Sequence, residues 1–255
     1  MTKKELQYQA LISDVKRFYK EQEAIHRDET VYLTWFEDCE EINLWTYWQG
    51  RGNLDAKVML VGQDWGSPTD SPEKYMAQFS KINAGENTSY QIYEESITDK
   101  HLIRLFSSVG YDVSDSAPWN PDLFFTNYVL GYRNKGFSGK FNSRWLSESK
   151  EFFFRLVNII EPKVIICLGR QVFRGVMMAF DQTTRIGSYN EFITGSKNPV
   201  EVKLASGQRV FVFAEAHCGA MGTLNRNRLK DPDGLQGIDL QIKDWKRIPE
   251  YVRST

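Results

Sequence analysis

Three polar side chains stand at the ends of three separate apolar runs. Asp64 follows Val58-Met59-Leu60-Val61-Gly62-Gln63, Asn127 closes Leu123-Phe124-Phe125-Thr126, and His217 follows Val210-Phe211-Val212-Phe213-Ala214-Glu215-Ala216. A carboxylate and an imidazole in one pocket can support hydrolysis, and an amide offers a ligand both a donor and an acceptor. In open α/β sheets, ligands bind beyond the carboxyl ends of the strands, so the three are expected to converge. Each also has a plainer reading. Asp64 can form an Asx turn or cap the next helix. Asn127 can satisfy a backbone group, and His217 can be a hydrogen-bonded structural histidine. Trp65 and Phe125, judged singly, suit the core, and Cys218 is expected to be inert. The ordered set says more than any member.

Such a set needs strands that stop along one edge. The runs named above, together with Val164-Ile165-Ile166-Cys167-Leu168 before Gly169, have the pattern of strands buried on both faces. Helical spacing falls between them. Leu11, Val15, Phe18 and Tyr19 mark an amphipathic helix ending near Arg27-Asp28. A second begins near Thr98-Asp99 and carries Leu102, Leu105 and Phe106. Ser143 is placed to cap a third, which carries Leu146, Phe153, Leu156, Val157 and Ile160 and stops before Pro162. Gln171 to Phe180 continues the alternation, and Ala205-Ser206-Gly207-Gln208 reads as a hairpin turn. The expectation is a three-layer α/β/α sandwich with a central, mainly parallel sheet. One domain over 1–255 is expected, with a helical N-terminal extension of about 55 residues.

Composition narrows the function. Of 255 residues, 41% are hydrophobic and 25% charged, which suits a soluble chain with a sizeable core. Aromatic residues reach 14%, and some of them can serve as base-stacking platforms. A net charge of -1 confines any nucleic-acid site to a local patch. Cys39, Cys167 and Cys218 are far apart and form no CxxC, which excludes a zinc ribbon and a four-cysteine iron–sulfur cluster. Few cysteines, a charged N-terminus and no bilayer-length apolar run predict a cytoplasmic protein without a membrane, and a monomer is expected. A Gly-x-Ser-x-Gly elbow, a Walker A loop and a dinucleotide fingerprint are all missing from the sequence.

Four blocks in order carry a family resemblance. Gly62-Gln63-Asp64 after an apolar strand resembles the water-activating motif of the uracil-DNA glycosylase superfamily. Phe125-Thr126-Asn127 resembles the strand that ends in its base-reading asparagine. Pro162-Lys163-Val164-Ile165-Ile166-Cys167-Leu168-Gly169 is similar to its internal strand ending in Leu-Gly. Ala216-His217, with Arg226 and Arg228 downstream, resembles its final histidine motif. The chain departs from the best-known branch by reading Asp64-Trp65-Gly66-Ser67 for Asp-Pro-Tyr-His, and His217-Cys218-Gly219 for His-Pro-Ser.

The resemblance implies a glycosylase-like fold and a DNA partner, with neither metal nor organic cofactor. It implies excision of a flipped uracil or C5-modified pyrimidine, leaving an abasic site. Asp64 would position water and stabilise the cationic sugar, and His217 would donate to the base oxygen. Asn127, Gln63, Trp65 and Gly66 would surround the base, with Tyr75 or Phe79 stacking on it. Gly66 stands where the uracil-specific branch has a tyrosine against C5, so space beside C5 is expected. Two basic stretches, Arg133-Lys135-Lys140-Arg144 and Arg226-Arg228-Lys230, are expected at phosphates, with solvated charge as the plainer reading, above all for Lys140 and Lys230. Met221 can act as an apolar wedge. Three alternatives stay open: a defence enzyme for modified phage DNA bases, a catalytically silent nucleic-acid-binding module, and a small-molecule hydrolase using Asp64 and His217.

Overall fold

Successive side chains of a strand point to opposite faces, so an unbroken apolar run has two faces to bury. The computed structural model, which describes residues 1–35, 41–42, 54–64, 97–114, 120–134, 141–183, 188–195 and 197–253, meets that demand. Strands β2 (Val58–Gly62), β3 (Leu123–Asn127), β5 (Val164–Leu168), β6 (Val200–Lys203) and β7 (Arg209–Glu215) form a five-stranded sheet in the order β3-β2-β5-β7-β6. β3, β2, β5 and β7 are parallel, and β6 returns antiparallel on the edge through the expected hairpin. A separate two-stranded ladder joins β1 (Leu33–Thr34) to β4 (Tyr132–Arg133), with Leu33 opposite Arg133.

Helices cover both faces. Met59, Val61, Phe124, Ile165, Cys167, Val212 and Ala214 pack under α1 (Lys3–His26), α3 (Arg144–Ile160) and α4 (Arg170–Ala179). Val58, Leu60, Leu123, Val164, Ile166, Leu168 and Phe213 pack against α2 (Ile97–Ser108), α7 (Gly237–Trp245) and α8 (Ile248–Arg253). Short helices α5 (Tyr189–Ile193) and α6 (Ala220–Asn227) flank β7 in the chain. The layers are those of an α/β/α sandwich. α1 belongs to the first layer, because Leu11, Val15 and Tyr19 are fully buried.

The helix ends have local causes. Thr2 and Glu5 form a reciprocal capping box at the start of α1. At α3, Ser143 holds the N-cap position but makes no capping bond. The Asn142 carboxamide accepts from the Arg144 N–H at 3.0 Å instead, which corrects the expected cap. α3 stops at Glu161, in the left-handed region at φ 55°, directly before Pro162.

α2, the described helix that follows β2, lies on one face, and α4, which follows β5, lies on the other. Neighbouring strands β2 and β5 therefore flank the topological switch point, where the edge of such a sheet opens into a crevice.

No described helix is long and apolar enough to cross a membrane.

One glycine tests the packing between layers. A Cβ on Gly175 of α4 would stand 2.7–2.8 Å from ring carbons of Tyr128, whose hydroxyl donates to the Leu146 carbonyl at 3.0 Å. Gly175→Ala is expected to destabilise the fold by about 1–3 kcal/mol through overpacking, read as a lower urea midpoint at unchanged m-value.

Candidate functional site

Backbone pairing sets the loop after β2. Gly62 and Gln63 carbonyls accept from Tyr128 and Val129 N–H groups at 2.9 and 3.1 Å, so the β2 and β3 exits stay side by side. A Cβ on Gly62 would overlap Asn127 Oδ1, so glycine is what lets the buried Asn127 carboxamide lie across β2. Phe125 comes within 3.7 Å of the same point. The structure thus brings Gly62, Gln63, Asp64 and Asn127 together.

Asp64 turns inward. Its side chain is only 7% exposed and forms an ion pair between Oδ2 and Arg133 Nε, while Oδ1 accepts from Gln63 Nε2 at 3.1 Å. The Arg133 guanidinium also lies 5.3 Å from the centre of the Trp145 ring, at cation–π distance. Burial raises the Asp64 carboxyl above the ordinary aspartate value, and the bonds from Arg133 and Gln63 pull it back in part.

His217 stands on the other side of the switch point. Two strand spacings separate β2 from β7, about 10 Å. The Gly219 N–H donates to His217 Nδ1 at 2.9 Å, so the neutral ring carries its proton on Nε2. His217 keeps solvent exposure, yet the protein packed around its ring holds its pKa below the ordinary histidine value. Both features make it a neutral donor. A Cβ on Gly222 would stand 2.7 Å from the His217 carbonyl carbon, so the first turn of α6 closes tightly against this residue only with glycine there. Cys218 is fully buried and its thiol is pushed up to about 12, mainly by burial, which keeps it protonated.

Sequence reasoning missed the supports. His101 of α2 donates from Nδ1 to the Cys218 carbonyl at 2.6 Å, and Gln241 of α7 donates to the His217 carbonyl at 3.4 Å. Neither spacing nor a motif links these residues to His217, because both arrive from separate helices. Below the loop, Glu215 is buried, with Arg247 Nη2 at 3.6 Å and Asn198 Nδ2 at 3.4 Å. Burial, with the Asp244 carboxylate adding to it, raises its pKa to about 8 against the pull of Arg247.

The basic stretches divide. Arg133 and Arg226 were both expected at phosphates, and both are instead buried in ion pairs. Arg226 donates from Nε and Nη2 to Asp244 at 2.7 and 2.8 Å, and from Nη1 to the Leu229 carbonyl at 2.7 Å. Desolvating a guanidinium requires such partners, and burial keeps both side chains away from the open surface where a phosphate would lie. Arg144 is half-buried between Glu148 and Glu29. Arg228 and Lys230 are exposed, and the Arg228 guanidinium donates to the neutral Asn225 carboxamide at 3.1 Å. Trp65, Gly66, Tyr75, Phe79, Lys135 and Lys140 lie outside the described residues. Met221 and Leu224 on α6 are exposed, at 67% and 47%. Among the described residues, no cluster of three or more His, Cys, Asp and Glu side chains is placed to hold a metal ion.

No protein-family model matches the chain, and no curated protein matches it.

Two outcomes follow from the buried charges. Arg226→Ala leaves Asp244 buried and unpaired, and is expected to cost about 3–5 kcal/mol in urea unfolding, whereas Arg228→Ala should change stability by less than about 0.5 kcal/mol. Folded Glu215 holds its proton up to about pH 8, whereas a free glutamate releases it near 4.5. In that window the folded state binds the extra proton, so this group's contribution to stability falls as pH rises. Glu215→Gln is expected to flatten that decline, measured as urea midpoints across the window.

Proposed function

We propose that this chain is a DNA glycosylase that extrudes a uracil or C5-modified pyrimidine and hydrolyses its N-glycosidic bond. The observation that carries the reading is an acidic group and a neutral imidazole donor following two parallel strands at the same edge of the sheet. Asp64 follows β2 and His217 follows β7, with Asn127 beside Asp64.

The chemistry fits that pairing. When the C1′–N bond breaks, its electron pair leaves with the base and positive charge develops on the sugar. The Asp64 carboxylate stabilises that cation and orients a water whose oxygen then bonds C1′. The water's proton passes through Asp64 and ultimately neutralises the departing base. The His217 Nε2–H donates to the pyrimidine oxygen on which the negative charge collects. A neutral imidazole suffices, because only a hydrogen bond is asked of it. Asn127 offers one donor and one acceptor to the base edge. The family resemblance puts Gly66 where the uracil-specific branch has a tyrosine, which would leave space beside C5. Exposed Arg228 and Lys230 supply phosphate contacts, and these make binding depend on salt.

One observation favours a second reading. Both Asp64 oxygens are engaged within the protein, as expected of a silent module that binds DNA without cleaving it.

Oligonucleotides carrying uracil or a C5-substituted pyrimidine, single-stranded and duplex, separate the two by alkaline scission at abasic sites. Wild-type protein is expected to produce such sites on at least one substrate. Asp64→Asn should bind DNA and lose most turnover. His217→Ala should lose about 10²–10³-fold in kcat. Binding without product across the panel would establish the silent module, and wild-type rates in both variants would remove the mechanism.

A further inference from the structure

Arg133 is held from several sides. Its backbone pairs with Leu33 in the β1–β4 ladder, and the adjoining Asn134 exchanges bonds with Tyr32 at 3.0 and 3.1 Å. Trp145 lies under its guanidinium. Its side chain is 5% exposed, and its Nε meets Asp64 Oδ2. An ordinary surface cation has none of these restraints.

We propose that Arg133 is the positioning residue of Asp64, fixing the carboxylate at the crevice and keeping it charged there. This rests on the reading of Asp64 as the carboxylate that orients water. A buried carboxyl tends to take up a proton, and a protonated Asp64 can neither stabilise a sugar cation nor accept from water. Among the described residues, the charged group that acts on Asp64 is Arg133, and Gln63 adds a neutral donor. The guanidinium suits the place better than an ammonium: it remains protonated, loses less on dehydration, and lies flat on an indole. Arg133 does not touch substrate in this scheme. It acts through Asp64.

The test reads Asp64 directly and then through turnover. The Asp64 Cγ signal is titrated by carbon NMR in free wild-type protein, Arg133→Gln and Arg133→Lys. Arg133→Gln is expected to raise the midpoint by about one pH unit or more, and Arg133→Lys to restore most of the difference. Activity that needs ionised Asp64 is lost as pH falls through its pKa. The acid limb of kcat on the substrate found above should therefore move upward by the same amount in Arg133→Gln. If Arg133→Gln does not fold, the wild-type Arg133 Nε resonance replaces it. That resonance should inflect at the Asp64 midpoint and lose the inflection in Asp64→Asn. A folded Arg133→Gln with an unmoved Asp64 midpoint, or a flat Nε trace, overturns the proposal and leaves excision untouched. A moved midpoint in a protein that excises nothing overturns the glycosylase reading and supports the ion pair alone.

Discussion

A five-residue strand buried on both faces admits polar side chains only where it ends. β2 and β5 are buried throughout, and helices close both sides of the sheet. Chemistry is thereby pushed to the carboxyl edge. Parallel pairing aligns that edge: Gly62 faces Asn127 in register, and Leu168 faces Glu215. The polar residues that follow each strand therefore emerge along one line, without any direct attraction between them. The switch point between β2 and β5 adds the opening, since the helices after these strands depart to opposite faces.

At that edge the electrostatics are set by desolvation rather than by exposed charge. Burial pushes Asp64 up, His217 down and Glu215 up, each towards its neutral form. The fold answers differently at each position. Asp64 receives a guanidinium, so its charge is partly protected. His217 receives a backbone N–H on Nδ1, which fixes the tautomer without adding charge. Glu215 lies near both Arg247 and the Asp244 carboxylate, and its proton is retained to about pH 8. A paired carboxylate and a neutral imidazole thus stand at the ends of two parallel strands on one edge of the sheet.

Much of this was legible from side-chain periodicity. The sheet strands at 58–62, 123–127 and 164–168 appear in the sequence as largely apolar runs, because strands buried on both faces keep polar residues to their ends. The hairpin before β7 was legible from its Ser-Gly turn, and α3 ended where Pro162 requires. What the sequence concealed was the use of charge. Arg133 and Arg226 sit in stretches rich in cations, and nothing in their spacing distinguishes a buried guanidinium from an exposed one. Their carboxylates are remote or on another element: Asp64 belongs to the loop after β2, and Asp244 to α7. Pairing of this kind is decided by tertiary structure. His101 was hidden for the same reason, because its partner is a backbone carbonyl that any residue at position 218 would supply.

The burial of Arg133 changes what the surface can contribute. An enzyme that gripped DNA through Arg133 would use that cation for sequence-independent attraction, and salt would screen it. Placed against Asp64 and Trp145, the same cation is shielded from salt and acts over a few ångströms. On the proposed reading, attraction to DNA would come from exposed groups such as Arg228 and Lys230. A chain with net charge -1 has little long-range field of its own. Recognition by the proposed enzyme would therefore be short-ranged, at a site whose acidic group is already balanced by Arg133. In such a site the ligand need not neutralise a bare carboxylate to enter. In the proposed reaction the negative field of Asp64 would act when positive charge develops within its reach, which is when an electrostatic contribution lowers a barrier rather than merely tightening binding.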